Sequence, residues 1–119
     1  MSDVLTPNAI VRQLSELGRE LDMTVEMMRD AETDAAEKRH AADMTESRAF
    51  VSSEGAMDMR KHLARIAADQ IEGEALVAEA LARYLKTKIR SIETRIEIGR
   101  SLGAALRAEL TALPYNEHP

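Results

Sequence analysis

Residues 85–113 read LKTKIRSIETRIEIGRSLGAALRAELTAL and decide the fold. Apolar residues and glycines recur there at alternating spacings of four and three, at Leu85, Ile89, Ile92, Ile96, Gly99, Gly103, Leu106, Leu110 and Leu113. A 3.5-residue repeat held over several heptads is typical of a helix packed along another helix. Glycine costs a helix interior about 1 kcal/mol relative to alanine, so the two glycines predict that a second helix approaches closely. A local kink at the glycines is the alternative.

Composition supports long helices over the whole chain. The chain has 119 residues, of which only three are aromatic and none is cysteine. Alanine, glutamate, lysine, leucine and arginine dominate, which is typical of long helices and coiled coils. Without cysteine, neither a disulfide nor a thiolate metal site can form. We therefore expect an all-α protein, a long antiparallel helical hairpin or coiled coil that self-associates.

Local signals place the ends of two helices. Thr6 can cap a helix whose first residue is Pro7, and Ser52-Ser53-Glu54-Gly55 is a strong run of turn formers. We expect a tail over 1–6, a first helix over 7–51, a turn over 52–56, a second helix over 57–113 and a tail over 114–119. A bend at Gly73 is left open. Alanines replace larger apolar residues on the packed face of the first helix after Met28, at Ala31, Ala35, Ala42 and Ala49.

The second helix is predicted to be longer than the first, so its C-terminal part should extend past it. The apolar side chains of that part would then form an exposed patch, which monomers usually avoid. We expect a homo-oligomer that assembles through Leu85, Ile89, Ile92, Ile96, Gly99, Leu102, Gly103, Leu106 and Leu110.

Charge is unevenly distributed along the chain, whose net charge is −5. Residues 1–59 carry 13 acidic and 6 basic side chains, a balance of −7, whereas residues 60–119 carry 8 acidic and 10 basic ones, a balance of +2. The favoured interpretation is that the acidic first helix pairs with the basic second helix or with a neighbouring subunit.

No motif indicates an enzyme. His40, His62 and His118 stand alone, without the partners of a zinc or di-metal site. The sequence has no phosphate-binding loop and no nucleophile elbow. We expect a non-enzyme without a metal, a cofactor or a small-molecule substrate.

Basic residues cluster around the predicted turn, and a hairpin would bring them to one end. Several copies in a ring would present a circle of cations able to neutralise phosphates, with one aromatic ring for stacking. The candidate nucleic-acid-binding residues are Arg48, Phe50, Arg60, Lys61 and Arg65. The alternative is that Arg48, Arg60 and Arg65 pair with Glu46, Glu54, Asp58 and Asp69.

Three segments carry a resemblance to known proteins: ESRAFVSSEG at 46–55, MDMRK at 57–61 and RIEIGRSLG at 95–103. Over roughly residues 37–110 the chain resembles small early proteins of actinobacterial phages. It is also similar, more distantly, to the UvsY-type recombination mediators of T-even phages. That family forms helical rings, binds single-stranded DNA and helps to load a recombinase onto strands coated with single-strand-binding protein.

The resemblance implies a binding site at the turn. The family's Lys-x-Arg lies just before the turn, and Arg48 matches its arginine, whereas Glu46 stands where the lysine would be. Arg60 and Lys61 are expected to compensate. The resemblance thus implies a recombination mediator with single-stranded DNA, a recombinase and single-strand-binding protein as partners. The alternative is a protein-only helical module, such as a phage assembly factor or an inhibitor of a host protein.

The sequence predicts no membrane partner. No apolar stretch approaches about 18 residues, and the N-terminus lacks a basic segment followed by an apolar run. The expected location is the cytoplasm, which is that of the host cell if the chain is encoded by a phage.

Overall fold

The computed structural model describes residues 5–112, which form two α-helices and no strand. Helix α1 spans Pro7–Ser52 and helix α2 spans Met57–Ala112. The helices pack antiparallel as a hairpin, so the predicted all-α fold class is confirmed. The predicted end of the second helix at Leu113, the tail after it and residues 1–4 lie outside the described residues.

The start of α1 has the predicted cap. The backbone N–H of Ala9 donates to Oγ1 of Thr6 at 3.0 Å, which satisfies one of the backbone donors that a helix start leaves without an intrahelical partner. Helix α1 ends at Ser52, one residue later than expected. Helix α2 is continuous through Gly73, so the bend left open there is not found.

Residues 53–56 reverse the chain between the helices. The backbone N–H of Ser53 donates to the carbonyl of Phe50 at 3.3 Å. Gly55 has a φ of 113°, a conformation that is readily open only to glycine because a side chain would be strained there. This glycine accounts for the position of the turn.

The chain divides into two compact units, each built from a part of both helices. The turn unit is Val25–Thr87, and the terminal unit comprises the residues up to Thr24 and those from Lys88. In the turn unit the seam, meaning the residues at which one helix faces the other, is built mainly of alanine. Because alanine is small, such a seam lets two helices approach closely but buries little apolar area per residue. Its buried alanines are Ala31, Ala35 and Ala42 of α1 and Ala64, Ala68, Ala75, Ala78 and Ala82 of α2.

Ion pairs join the two helices across the turn unit. Nη1 of Arg39 donates to Glu72 at 2.6 Å, and its Nε and Nη2 donate to the carboxylate of Glu79 at 2.9 and 3.0 Å. Nζ of Lys86 lies 3.1 Å from Glu32. The expected pairing of an acidic first helix with a basic second helix is therefore found at Glu32, whereas Arg39 pairs in the opposite sense.

Glycines admit close packing in the terminal unit. A Cβ built on Gly99 would lie 2.7 Å from Cδ2 of Leu14, and one built on Gly103 would lie 3.5 Å from Cγ2 of Ile10. Helix α2 continues through both glycines. The prediction of a closely approaching helix is right, and that helix is α1 of the same chain.

The expected oligomerisation surface is therefore partly covered within the single chain. Leu85, Ile92 and Gly103 are buried within the single chain. Helix α1 has 46 residues and α2 has 56, and because the two pair from the turn outward, only the last turns of α2 extend past α1. The other residues of that surface divide into the half-buried Ile89, Ile96, Gly99 and Leu106 and the exposed Leu102 and Leu110.

Candidate nucleic-acid interface

The end of α1 and the start of α2 enclose a surface groove of about 520 Å³ beside the turn. We call it the turn groove. It exists because residues 53–56 bring the last turns of α1 next to the first turns of α2. The turn groove is lined by Glu46, Ser47, Phe50 and Val51 of α1 and by Lys61, Ala64 and Arg65 of α2.

Arg60 contacts Phe50 through both its guanidinium group and its hydrogen bonds. Its guanidinium carbon lies 4.3 Å from the centre of the Phe50 ring, and its Nε and Nη2 donate to the Phe50 carbonyl at 3.3 and 3.0 Å. The carbonyl belongs to the last turn of α1, where it also accepts from the backbone N–H of Ser53 at 3.3 Å. Arg60 therefore caps α1 from the neighbouring helix and covers one face of the ring. Its predicted role in nucleic-acid binding stays a prediction, now beside this structural contact.

Lys61 and Arg65 differ from Arg60, because the side chains of both are exposed on the α2 side of the turn groove. They are four residues apart and so lie on the same face of the helix. Neither forms an ion pair with any of residues 5–112. The alternative in which the basic residues of the turn are neutralised by Glu46, Glu54, Asp58 and Asp69 is not found among those residues.

Arg48 lies apart from this arrangement. It is exposed and does not line the turn groove. Glu46 does line it, so the two cations and one carboxylate give the groove a formal charge of +1. The structure thus brings together Phe50, Lys61 and Arg65, places Arg60 beside them through its contact with the ring, and leaves Arg48 outside.

This chemistry suits a phosphate-bearing chain better than a reacting substrate. Two cations one helical turn apart can each neutralise a phosphate, and an aromatic ring offers apolar contact to a base. In the described part of the chain, no three histidine, aspartate or glutamate residues are grouped so that they could hold a metal ion. His40 and His62 are exposed, and His118 lies outside the described residues.

The described helices include none that is both long and apolar enough to cross a membrane. Sequence reasoning nonetheless missed one apolar feature, a second face on α2, part of which lines a groove with Asp34 and Lys38 of α1. Leu63, Ile66, Val77, Leu81 and Tyr84 are all exposed there. The available signal was the helical spacing within each group, three residues from Leu63 to Ile66, then four and three residues from Val77 through Leu81 to Tyr84.

Comparison of the chain with protein-family models, with curated protein sequences and with solved structures finds no match.

Proposed function

We propose that this chain is an oligomeric accessory protein that binds single-stranded DNA at the turn groove. The observation that carries the proposal is that Lys61 and Arg65 line the same groove as Phe50 and have no ion-pair partner within residues 5–112. In the role suggested by the resemblance to UvsY-type mediators, it assists the loading of a recombinase onto strands coated with single-strand-binding protein.

The charges limit how strong such binding is in one copy. The chain carries a net charge of −5, so attraction is confined to the turn. Two phosphates neutralised on a single strand give a slope of log affinity against log salt of about −1.4 per chain. Oligomerisation raises the affinity by presenting several turn grooves to one strand.

The test is binding of a fluorescent single-stranded oligonucleotide by anisotropy over a series of salt concentrations. Lys61→Glu combined with Arg65→Glu is expected to abolish binding at low salt. Arg12→Glu combined with Arg19→Glu is the matched control, because it makes the same change in net charge at exposed positions of α1 far along the sequence from the turn. Equal loss in both double variants, or no binding by the unaltered chain at low salt, contradicts the proposal.

Arg48→Glu separates the turn groove from the position that matches the family's arginine. Because Arg48 does not line the groove, this variant is expected to lose less affinity than either Lys61→Glu or Arg65→Glu. A larger loss of affinity for Arg48→Glu would indicate that the oligonucleotide binds on the other side of α1.

A protein-only helical module is the second candidate function. The exposed apolar face of α2 favours it, since monomers rarely expose a contiguous apolar patch of this kind without a use for it. Assembly or partner binding that persists while oligonucleotide binding is undetectable at low salt would select this candidate.

A further inference from the structure

One face of the Phe50 ring is already occupied within the chain. The guanidinium carbon of Arg60 lies 4.3 Å from the ring centre, and the same group donates to the Phe50 carbonyl at 3.0 and 3.3 Å. One side chain thus contacts both the backbone and the ring of this residue. The ring face that lies under the guanidinium is closed to any other stacking partner.

The rest of the ring faces the turn groove. Phe50 lines this groove whereas Arg60 does not, so the face under the guanidinium is not the part of the ring that meets the groove. A side chain that inserts between two stacked bases needs both of its faces free, whereas stacking on a single unpaired base needs only one. The Arg60 contact therefore limits Phe50 to one base.

The charges that line the turn groove lie on opposite walls. Lys61 and Arg65 lie on the α2 wall, with Cβ atoms about 6 Å apart because they are four residues apart on a helix. Glu46 lies on the α1 wall together with Phe50, and its carboxylate repels phosphate groups. The phosphates of a bound strand are thus attracted to α2, which leaves its bases on the side of the ring.

We propose that Phe50 makes the turn groove selective for an unpaired base, by stacking one base per chain while Lys61 and Arg65 bind the neighbouring phosphates. In a duplex the bases are paired and stacked on one another, so the groove reaches only the phosphates. The ring thus distinguishes a single strand from a duplex, which the cations alone do not. This inference rests on the proposed function, because it concerns the same site.

The test compares three fluorescent DNA probes on the full chain by anisotropy at low salt. They are an oligothymidylate, a strand of the same length in which abasic sites replace the thymines, and a blunt duplex. The first two carry the same phosphates and differ only in their bases. The unaltered chain is expected to bind the oligothymidylate about tenfold more tightly than the abasic strand, which is the effect of stacking one base.

Phe50→Leu keeps an apolar side chain but removes the ring. This variant should bind the oligothymidylate about tenfold more weakly than the unaltered chain does, and its affinities for the abasic strand and the duplex should be unchanged. Tyr84→Leu is the matched control, because Tyr84 is an aromatic residue of α2 that is 60% exposed and does not line the turn groove. The control should keep the full preference for the oligothymidylate. Circular dichroism confirms that both variants are folded.

Phe50→Trp gives a readout that does not depend on a loss of affinity. The chain contains no tryptophan, so the new indole is its only one. A saturating concentration of the oligothymidylate should quench the indole emission, because a base stacks on it. A saturating concentration of the abasic strand should leave the emission unchanged.

Equal affinity of the unaltered chain for the oligothymidylate and the abasic strand overturns this inference but not the proposed function, since the cations then suffice for binding. A preference that survives Phe50→Leu, or equal quenching of Phe50→Trp by the two strands, also overturns the inference alone. Absence of binding to all three probes at low salt overturns the proposed function and this inference together.

Discussion

Arg39 and Glu79 form a two-point ion pair between the helices, with Nε and Nη2 of the guanidinium 2.9 and 3.0 Å from the two carboxylate oxygens. Arg39 also reaches Glu72 at 2.6 Å. The seam around these residues is rich in alanine, whose small side chain makes few contacts specific to one alignment. The alanines alone specify the register of α1 against α2 only weakly. The ion pairs of Arg39 form in one alignment of the helices and therefore fix that register.

This ion pair makes stability depend on pH in the acid range. The hydrogen bond from Arg39 lowers the pKa of Glu79 below its ordinary value of 4.5, so the unfolded chain binds the proton more tightly than the folded one. The stabilisation is complete above the ordinary value and is lost as the pH falls through the lowered one. We expect thermal midpoints from pH 6 to pH 3 to fall less for Glu79→Gln than for the unaltered chain. Glu93→Gln, at an exposed position, is the control. Its thermal midpoint should fall between pH 6 and pH 3 by as much as that of the unaltered chain.

The contact between Leu14 and Gly99 predicts coupling between two substitutions. Gly99→Ala gains about 1 kcal/mol of helix propensity, but its methyl group would lie 2.7 Å from Cδ2 of Leu14 and displaces that side chain. In a Leu14→Ala background the displacement is unnecessary. A double-mutant cycle by urea unfolding should give a coupling energy of about 1 kcal/mol or more. Gly73→Ala, which meets nothing within 4 Å, should be additive with Leu14→Ala, and a coupling no larger for Gly99 than for Gly73 would refute the close contact.

The contact between Arg60 and Phe50 predicts that lysine cannot replace this arginine. Lysine keeps the charge but loses the planar group that stacks on the ring while donating to the Phe50 carbonyl. Arg60→Lys should reduce the free energy of unfolding by about 1 kcal/mol, whereas Lys61→Arg should leave it unchanged. Oligonucleotide binding by Arg60→Lys should stay close to that of the unaltered chain once the protein is folded. A selective loss of binding with unchanged stability would make Arg60 a direct contact.

Local chemistry made much of the fold predictable. Thr6, Pro7 and Gly55 act within a few residues of themselves, so their sequence context suffices to place the ends of the helices. The 3.5-residue repeat likewise identified which side of α2 is packed. The repeat indicates that another helix is close but does not identify it, and at Gly99 the structure shows that the neighbour is Leu14 of α1 in the same chain.

Contacts that require the register of the hairpin could not be predicted. Arg39 finds Glu72 and Glu79 only after α1 and α2 are aligned, and Arg60 meets Phe50 only across the turn. The exposed apolar face of α2 was missed for a different reason. With alanine in the seam, larger residues such as Ile66 and Val77 were assigned to neither a packed face nor an exposed one.

The alanine seam has a consequence for how such a chain changes over generations. Its buried positions restrict the volume of a side chain and little else, and the exposed sides of both helices tolerate many residue types. Selection on the fold therefore acts on side-chain volume at the few buried positions. Elsewhere it acts only on the helical spacing of apolar residues. Descendants of one ancestor can keep this hairpin while their sequences drift until little common identity remains, and the positions expected to drift least are those where geometry admits few alternatives, such as Gly55 and Gly99.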